Sequence, residues 1–212
     1  MKKTIQALAV VGMLLGGTSQ WFAQKIQTQN TKKQTVEVLV NDYDHIIKQP
    51  FSSILNKYWP EEWIEIIKNN LLIAINKERS KVWADSLKTN KYLQTATQEH
   101  TQFLYTHKNL YVDENGNGKN NPHWQFLDNG KMRGLFDRVL EAGYWSVFVS
   151  ENICIGAKTI EEFIRMTNIS PSHKSTMLST EYQEIGIYVI DDIVVVKFGK
   201  PDTENRTRKV IK

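Results

Sequence analysis

Few residues of this 212-residue chain have a type and setting suited to chemistry, and its single cysteine, Cys154, can be weighed first. One cysteine permits neither an intramolecular disulfide nor a thiolate metal cluster. A cysteine nucleophile needs a neighbouring base or cation that lowers its pKa, and none is adjacent in the sequence. We therefore predict a buried, inert thiol. The serines form no G-x-S-x-G turn, so a serine hydrolase has no support.

An oxygen-rich segment from Asp113 to Gly118 partly resembles a calcium-binding loop. Oxygen donors fall at loop positions 1, 3, 5 and 9, and Gly118 is at position 6, where a calcium loop has a glycine. Position 12 is Trp124, where a bidentate Glu is expected. An Asn/Gly turn is therefore our interpretation, and calcium is the alternative.

Two of the five histidines lie on the apolar face of one predicted helix. The spacing of three or four residues places them on the same face as three aliphatic side chains. We expect both to be hydrogen-bonded core histidines, and His45 to lie on the surface. The helical face consists of Leu93, Ala96, His100, Leu104 and His107.

Helical patterns dominate the chain from residue 60 to about residue 180. Pro60 suits the first turn of a helix that runs to about Ser80, and a second helix begins near Thr89. A third spans Leu135 to Ala142 and ends at Gly143, which is typical of a C-cap.

Two further helix starts are marked by capping residues. Thr159 followed by Glu162 forms a capping box. Ser170 and Pro171 suit the cap and first residue of another short helix.

The C-terminal part of the chain has the pattern of β-strands. Glu184–Ile190 and Ile193–Phe198 are rich in branched residues, and Asp191-Asp192 fits a two-residue hairpin turn between them. A shorter strand-like segment covers 145–149. Because helices come first and strands last, the order predicts an α+β domain.

The N-terminus has the features of a secretory signal. Two lysines precede a 13-residue stretch, Ile5 to Gly17, of apolar and small residues apart from Gln6, which is too short to span a bilayer comfortably. We predict a signal peptide over 1–23, a polar linker and N-terminal extension over 24–59, a domain over 60–200 and a basic tail over 201–212. After signal cleavage we expect no transmembrane span, and a secreted, periplasmic or cell-envelope location.

The charge of the chain excludes one class of partner. The formal net charge is +4, and two of the lysines belong to the predicted signal. So small an excess gives no argument for nucleic-acid binding.

Four motifs together resemble the CAP superfamily (SCP-like proteins), specifically its short bacterial branch. They occur in the family's order from about residue 71 to residue 199. The segments are Ile75 to Arg79 (xNxxR), Ser150 to Ile153 (GENI, with Ser for Gly), Ser170 to Lys174 with Met177-Leu178 (SPGHRxxIL), and Glu184 to Ile187 with Val196 to Gly199 (EIGVG and xxFG).

The resemblance implies a three-layer α-β-α sandwich with a cleft lined by two histidines and acidic residues. The matching residues here are Glu151 and His173. For the other histidine we choose His123, which precedes Phe136 and the Ala-Gly-Tyr turn, and His107 is the competitor. A second acid and a Trp of larger members have no match between Thr167 and Ser172.

His123, Glu151 and His173 form a set that could hold a divalent metal such as zinc, because imidazole nitrogen and carboxylate oxygen are zinc ligands. The alternative is a structural Glu151–His173 pair. We therefore expect an exported CAP-domain binding module for a lipid, glycan or protein partner. A metal-assisted hydrolase of the envelope or extracellular space is the other hypothesis, and no reaction can be assigned.

Overall fold

A computed structural model describes residues 43–57 and 60–202 as short and long helices around one mixed sheet. The helices are α1 Tyr43–Ile46, α2 Phe51–Lys57, α3 Pro60–Ser80, α4 Lys91–Thr106, α5 Lys108–Tyr111, α6 Leu135–Glu141, α7 Ile160–Ile169 and α8 Pro171–Leu178. The strands are β1 Lys88–Thr89, β2 Gln125–Phe126, β3 Met132–Arg133, β4 Ser146–Ile155, β5 Glu184–Ile190 and β6 Ile193–Pro201.

Four of these strands form a sheet in the order β1-β5-β6-β4. β5 and β6 are joined by the predicted hairpin turn, in which Asp191 has a φ of 54°. β6 pairs antiparallel with β4 on its other side, and β1 pairs parallel with β5. β2 and β3 form a separate two-stranded ribbon.

Helices cover both faces of this sheet. One face of β5 and β6 packs with α3, α7 and α8 in the largest apolar cluster, which includes Leu71, Phe163, Ile187 and Val196. α4 and α6 cover the other face, where Leu93 and Val139 are buried. The predicted α+β class and the α-β-α sandwich are therefore confirmed.

α4 lies so close to the sheet that its backbone occupies the space of a β5 side chain. A Cβ atom on Gly186 would lie 2.4 Å from the carbonyl carbon of Leu93. On β6, a Cβ on Gly199 would lie 2.4 Å from the hydroxyl of Tyr144. The glycines of the EIG and FG motifs thus permit a close approach of α4 and of Tyr144 to the sheet.

Other motif residues hold segments of the chain together through backbone contacts. Asn76 exchanges two hydrogen bonds with the backbone of Leu87, at 2.8 and 3.1 Å. The buried Arg79 guanidinium donates to the carbonyls of Met177 and Ser179, both at 2.8 Å. The xNxxR motif therefore ties α3 to the start of β1 and to the end of α8.

The helix boundaries follow the capping signals with small differences. Thr159 caps α7 by accepting a 3.0 Å hydrogen bond from the Glu162 amide, but the Glu162 carboxylate accepts from Lys158 instead of Thr159. Pro171 is the first residue of α8, and the Ser170 side chain makes no cap bond. The second predicted helix is capped by Asn90, one residue after Thr89.

The strand predicted over 145–149 was too short, because β4 continues through the GENI-like motif to Ile155. Polar residues at 150–152 lack the branched composition of a strand, and pairing with β6 overrides that local preference. β6 likewise continues from Phe198 to Pro201.

Part of the N-terminal extension packs on the domain. Phe51 and Ile54 of α2 are buried in the main apolar cluster, together with Trp63 of α3. The backbone amide of Phe51 donates to the carbonyl of Lys158 at 2.9 Å. The signal peptide over 1–23, most of the linker, and the tail after residue 202 lie outside the described residues, so the domain boundaries remain predictions.

No helix in the described ranges combines the length and apolar character needed to cross a membrane.

Candidate functional site

Glu151 is the centre of the candidate site, and β4 places it opposite a charged partner. It pairs with Lys197 across the β4–β6 register, so both side chains point to the same face of the sheet. The side chain of Glu151 is only 2% exposed and that of Lys197 is fully buried. A lone lysine within a buried apolar strand requires such a partner.

Two buried cations and one histidine surround the Glu151 carboxylate. Oε2 accepts a hydrogen bond from the Lys197 ammonium. Oε1 accepts one from the Arg138 guanidinium of α6 at 2.6 Å, and a third from His123 Nδ1 at 3.1 Å. Both carboxylate oxygens are therefore occupied by protein donors.

These contacts decide the charge of the cluster. Burial is the largest influence on Glu151 and favours its neutral form, but Lys197, the His123 hydrogen bond and Arg138 together hold its pKa well below the usual range. Burial lowers the pKa of Lys197 to about 8. At neutral pH Arg138 and Lys197 thus carry two positive charges against the one negative charge of Glu151, which gives these three side chains a net charge of +1.

His123 is held in one orientation from two sides. Because its Nδ1 donates to a carboxylate, the neutral form of the ring has its free lone pair on Nε2. Arg138 also donates to the backbone carbonyl of His123 at 3.1 Å. The side chain is 36% exposed, so the ring reaches the surface while its Nδ1 edge contacts the buried charge.

His173 lies across from His123, with the ring centroids 6.5 Å apart. It is the third residue of α8, and Asn152 of β4 donates to its backbone carbonyl at 2.9 Å. Burial, and then the proximity of His123, lower the pKa of His173 from its ordinary value. Its imidazole is therefore neutral at pH 7.

The two histidines and Glu151 line one cleft of about 340 Å³. Three of the lining residues belong to α8 and two belong to β4. The loop before β2 contributes His123 and Trp124. The lining residues are His123, Trp124, Leu135, Ser150, Glu151, Ser172, His173 and Thr176.

The remaining histidines lie elsewhere. His107 does not line the cleft; its Nδ1 donates to the Phe103 carbonyl at 2.9 Å, and its ring stacks on Phe103. His100 is buried, donates from Nε2 to the Pro122 carbonyl and accepts from Gln125. Burial lowers the pKa of His100 to about 2. It is the hydrogen-bonded core histidine that its position predicts.

The Asp113 segment is a turn stabilised by its own side chain. Asp113 Oδ1 accepts from the amides of Asn115 and Asn117, and Oδ2 accepts from the Asn117 amide group. Gly116 has a φ of 81°, which glycine adopts without strain. Cys154 is buried, and burial raises its pKa to about 11, as expected of an inert thiol.

The donor set fits a three-ligand zinc site only in part. The predicted residues lie together, but Glu151 has both oxygens on protein donors, and only imidazole nitrogens of His123 and His173 remain for a metal. Within 43–57 and 60–202 no group of three His, Cys, Asp or Glu side chains is arranged to hold a metal ion. The net positive charge behind the histidines also opposes a cation.

Solved structures with a similar chain path give the fold its name. An extracellular protein from Bacillus anthracis, which contains an SCP domain, matches with a TM-score of 0.50 and 16% identity. The match covers 68% of this chain and 44% of that protein. This chain has an SCP fold. It spans less than half the length of the Bacillus protein.

Two other bacterial structures are also similar to this SCP fold. An outer surface protein from Borrelia burgdorferi matches with a TM-score of 0.49 and 20% identity, over 62% of this chain and 90% of its own. A cysteine-rich secretory protein from Staphylococcus aureus matches with a TM-score of 0.46 and 16% identity, over 62% of this chain and 38% of its own. No protein-family profile and no curated protein matches the sequence.

Two site residues of this SCP fold escaped the sequence interpretation. Arg138 lies between Phe136 and the Ala-Gly-Tyr turn, and Lys197 interrupts the apolar strand Ile193–Phe198. The signal for Lys197 was present, because a single charge in a strand buried on both faces needs a countercharge. Only the register shows that this countercharge is Glu151.

Proposed function

We propose that this chain is an exported binding module whose ligand site is the cleft between His123 and His173. The observation that supports this proposal most directly is that both oxygens of the Glu151 carboxylate accept hydrogen bonds, which come from Arg138, Lys197 and His123. A carboxylate so engaged is a poor general base, because its pKa lies far below neutrality. It is well suited to fix an imidazole that contacts a ligand.

The neighbouring structures support the export part of this proposal by their own descriptions. The Bacillus protein is extracellular, and the Borrelia protein lies on the outer surface. The predicted signal peptide over 1–23 agrees with them. A secreted or cell-envelope location is therefore proposed for this chain, with a lipid, a glycan or a protein as partner.

The cleft is tested by imidazole NMR signals of His123 and His173. The probes are palmitate for a lipid, N-acetylglucosamine for a glycan and N-acetylglutamate for a protein segment. At least one probe should shift both signals in wild type and should leave the sample without reaction products.

Steric variants separate binding in the cleft from binding elsewhere. Ser172 lines the cleft and Ser175 is exposed on the same helix outside it. Ser172→Trp should abolish the shifts and Ser175→Trp should keep them. Unchanged histidine signals with every probe, or conversion of a probe to product, would contradict the proposal.

A divalent metal on the two histidines is the second candidate. The observation favouring it is the carboxylate contact to His123 Nδ1, since metal-binding histidines commonly donate their other ring N–H to a carboxylate. Bound there, a metal would supply Lewis acidity, which a hydrolase of the envelope would require. Calorimetry with Zn²⁺ should then show micromolar binding that His173→Ala removes. Equal heats from both proteins would exclude this site.

A further inference from the structure

The long strand β4 is an edge strand. In the four-stranded sheet of the described residues it pairs only with β6. Edge strands expose a row of unpaired backbone N–H and C=O groups, and such a row can pair with an added chain.

The hairpin turn identifies which β4 residues carry these groups. A two-residue turn makes Ile190 and Ile193 a mutually hydrogen-bonded pair. Residues of β6 therefore bond alternately to β5 and β4, and the 2.9 Å bond from the Gly156 amide to the Asp192 carbonyl fits this alternation. Ser150, Asn152 and Cys154 of β4 bond to β6 in this register.

Glu151, Ile153 and Ile155 consequently direct their backbone groups away from the sheet. Within the described ranges no hydrogen bond from another segment reaches these groups. This unpaired row covers the length of β4 that lines the histidine cleft and the region beyond it, where Glu151 and Ile153 are 5% and 6% exposed.

Empty space lies in line with this row. A second cavity of about 260 Å³ adjoins Ile153, Cys154 and Ile155, and His173 lines both this cavity and the cleft. Each cavity is lined by neighbouring residues of β4 whose side chains lie on opposite faces of the sheet, Ser150 with Glu151 and Ile153 with Cys154. Both cavities therefore lie beyond the edge of the sheet, where the next strand would run.

The walls of the two cavities differ in chemistry. The second cavity is mostly apolar, with Val112, Pro122 and Met166 among its walls. The cleft has the net charge of +1 behind it, and Glu151 is the single acid among the described side chains that line either cavity. The charge favours an acidic group in the cleft, next to an apolar group.

We propose that an extended peptide of a partner protein adds a strand to the free edge of β4, with an acidic side chain in the histidine cleft and an apolar side chain in the adjoining cavity. The proposal rests on the proposed function as a binding module and names its partner chemistry. Backbone hydrogen bonds give affinity in this mode, and the alternating side chains give specificity.

The test uses the full mature chain and acetylated, amidated peptides, so that side chains supply the only carboxylate. In one heptapeptide a central Glu is followed by two Val residues, and in the second the two Val residues precede the Glu. The remaining positions of both peptides are Thr. At least one should bind by fluorescence anisotropy, and its Gln counterpart should bind at least tenfold more weakly. N-methylation of alternate amides in the bound peptide should abolish binding, which tests strand pairing without changing the protein.

Hydrogen exchange and the steric variants complete the test. Binding should slow amide exchange at Ile153 and Ile155, and Ser172→Trp should bind at least tenfold more weakly than Ser175→Trp. Equal affinity of the N-methylated peptide, or no binding of either peptide order, overturns the edge proposal. If N-acetylglutamate still shifts the His123 and His173 signals, the binding-module proposal survives that failure; if no probe shifts them, both fail.

Discussion

Glu151 shows how one buried carboxylate can organise a surface site. Its contact with His123 sets the ring tautomer, while Arg138 fixes both the carboxylate and the His123 backbone. Asn152, the next residue, fixes the backbone of His173 from the opposite face of β4. Two adjacent residues of one strand thus position both cleft histidines.

The first prediction concerns the charge of this carboxylate. Glu151→Gln should lower the free energy of unfolding by about 3–5 kcal/mol, because it leaves two buried cations without their anion. Urea unfolding of both proteins measures the difference. Glu181→Gln removes an exposed pair with Lys200 and should change stability by less than about 1 kcal/mol. Equal losses in the two variants would show that the buried pairing is unimportant.

At this scale the sequence predicted the positions of the polar residues better than their roles. Glu151, His123 and His173 do lie in one cleft, but the carboxylate is directed to Lys197 and Arg138. Neither partner is near Glu151 in the sequence, and the pairing depends on strand register and on the packing of α6. Composition and spacing contain no information on that register.

The contact between α4 and β5 depends on the absence of one side chain. Gly186→Ala should destabilise the protein by roughly 1–3 kcal/mol or more, because its Cβ would lie against the Leu93 backbone, which cannot shift without moving the helix. Thermal unfolding measures the effect. Gly118→Ala is the control, since a Cβ there meets nothing within 4 Å. A neutral Gly186→Ala would mean that α4 moves freely.

α4 also contains a histidine that should make the fold sensitive to acid. The pKa of His100 is about 2 in the folded chain, so below its ordinary value of 6.5 the unfolded chain binds the extra proton. The contribution of His100 to the free energy of unfolding therefore decreases as the pH is lowered, by about 2 kcal/mol from pH 7.5 to pH 5.

The variant His100→Gln separates this residue from other titrating groups. Its amide cannot titrate, so its unfolding free energy should fall less over the same interval. Urea unfolding at the two pH values gives both slopes. His173 has a lowered pKa and contributes in the same direction in both proteins. If the free energy of unfolding changes equally with pH in both proteins, groups other than His100 cause the acid sensitivity.

Elements with strong local signals were predicted well from the sequence. α3 begins at Pro60 and ends at Ser80 as expected, and the hairpin turn falls at Asp191 and Asp192. β4 was predicted only in its first part, because Ser150, Glu151 and Asn152 have no intrinsic preference for a strand. Its extent is decided by nine paired positions with β6, which are tertiary interactions.

For the whole molecule, export remains a prediction with a direct test. The basic start and the apolar run from Ile5 to Gly17 predict cleavage between about Gly17 and Gln24. N-terminal sequencing of the protein from the extracellular or envelope fraction should begin in that interval. An intact Met1 in the cytoplasmic fraction would contradict it.

The sheet order has a consequence for when this chain can fold. Its two central strands, β5 and β6, are the last strands along the sequence, and β1 must wait for β5 before it can pair. Such distant pairings make folding slow, because the long intervening loops must close first. Until β6 is available, α3 and α4 have no sheet to cover. A chain that is exported with its N-terminus first would therefore cross the membrane before its sheet has formed. It would complete its fold only after β6 has also crossed.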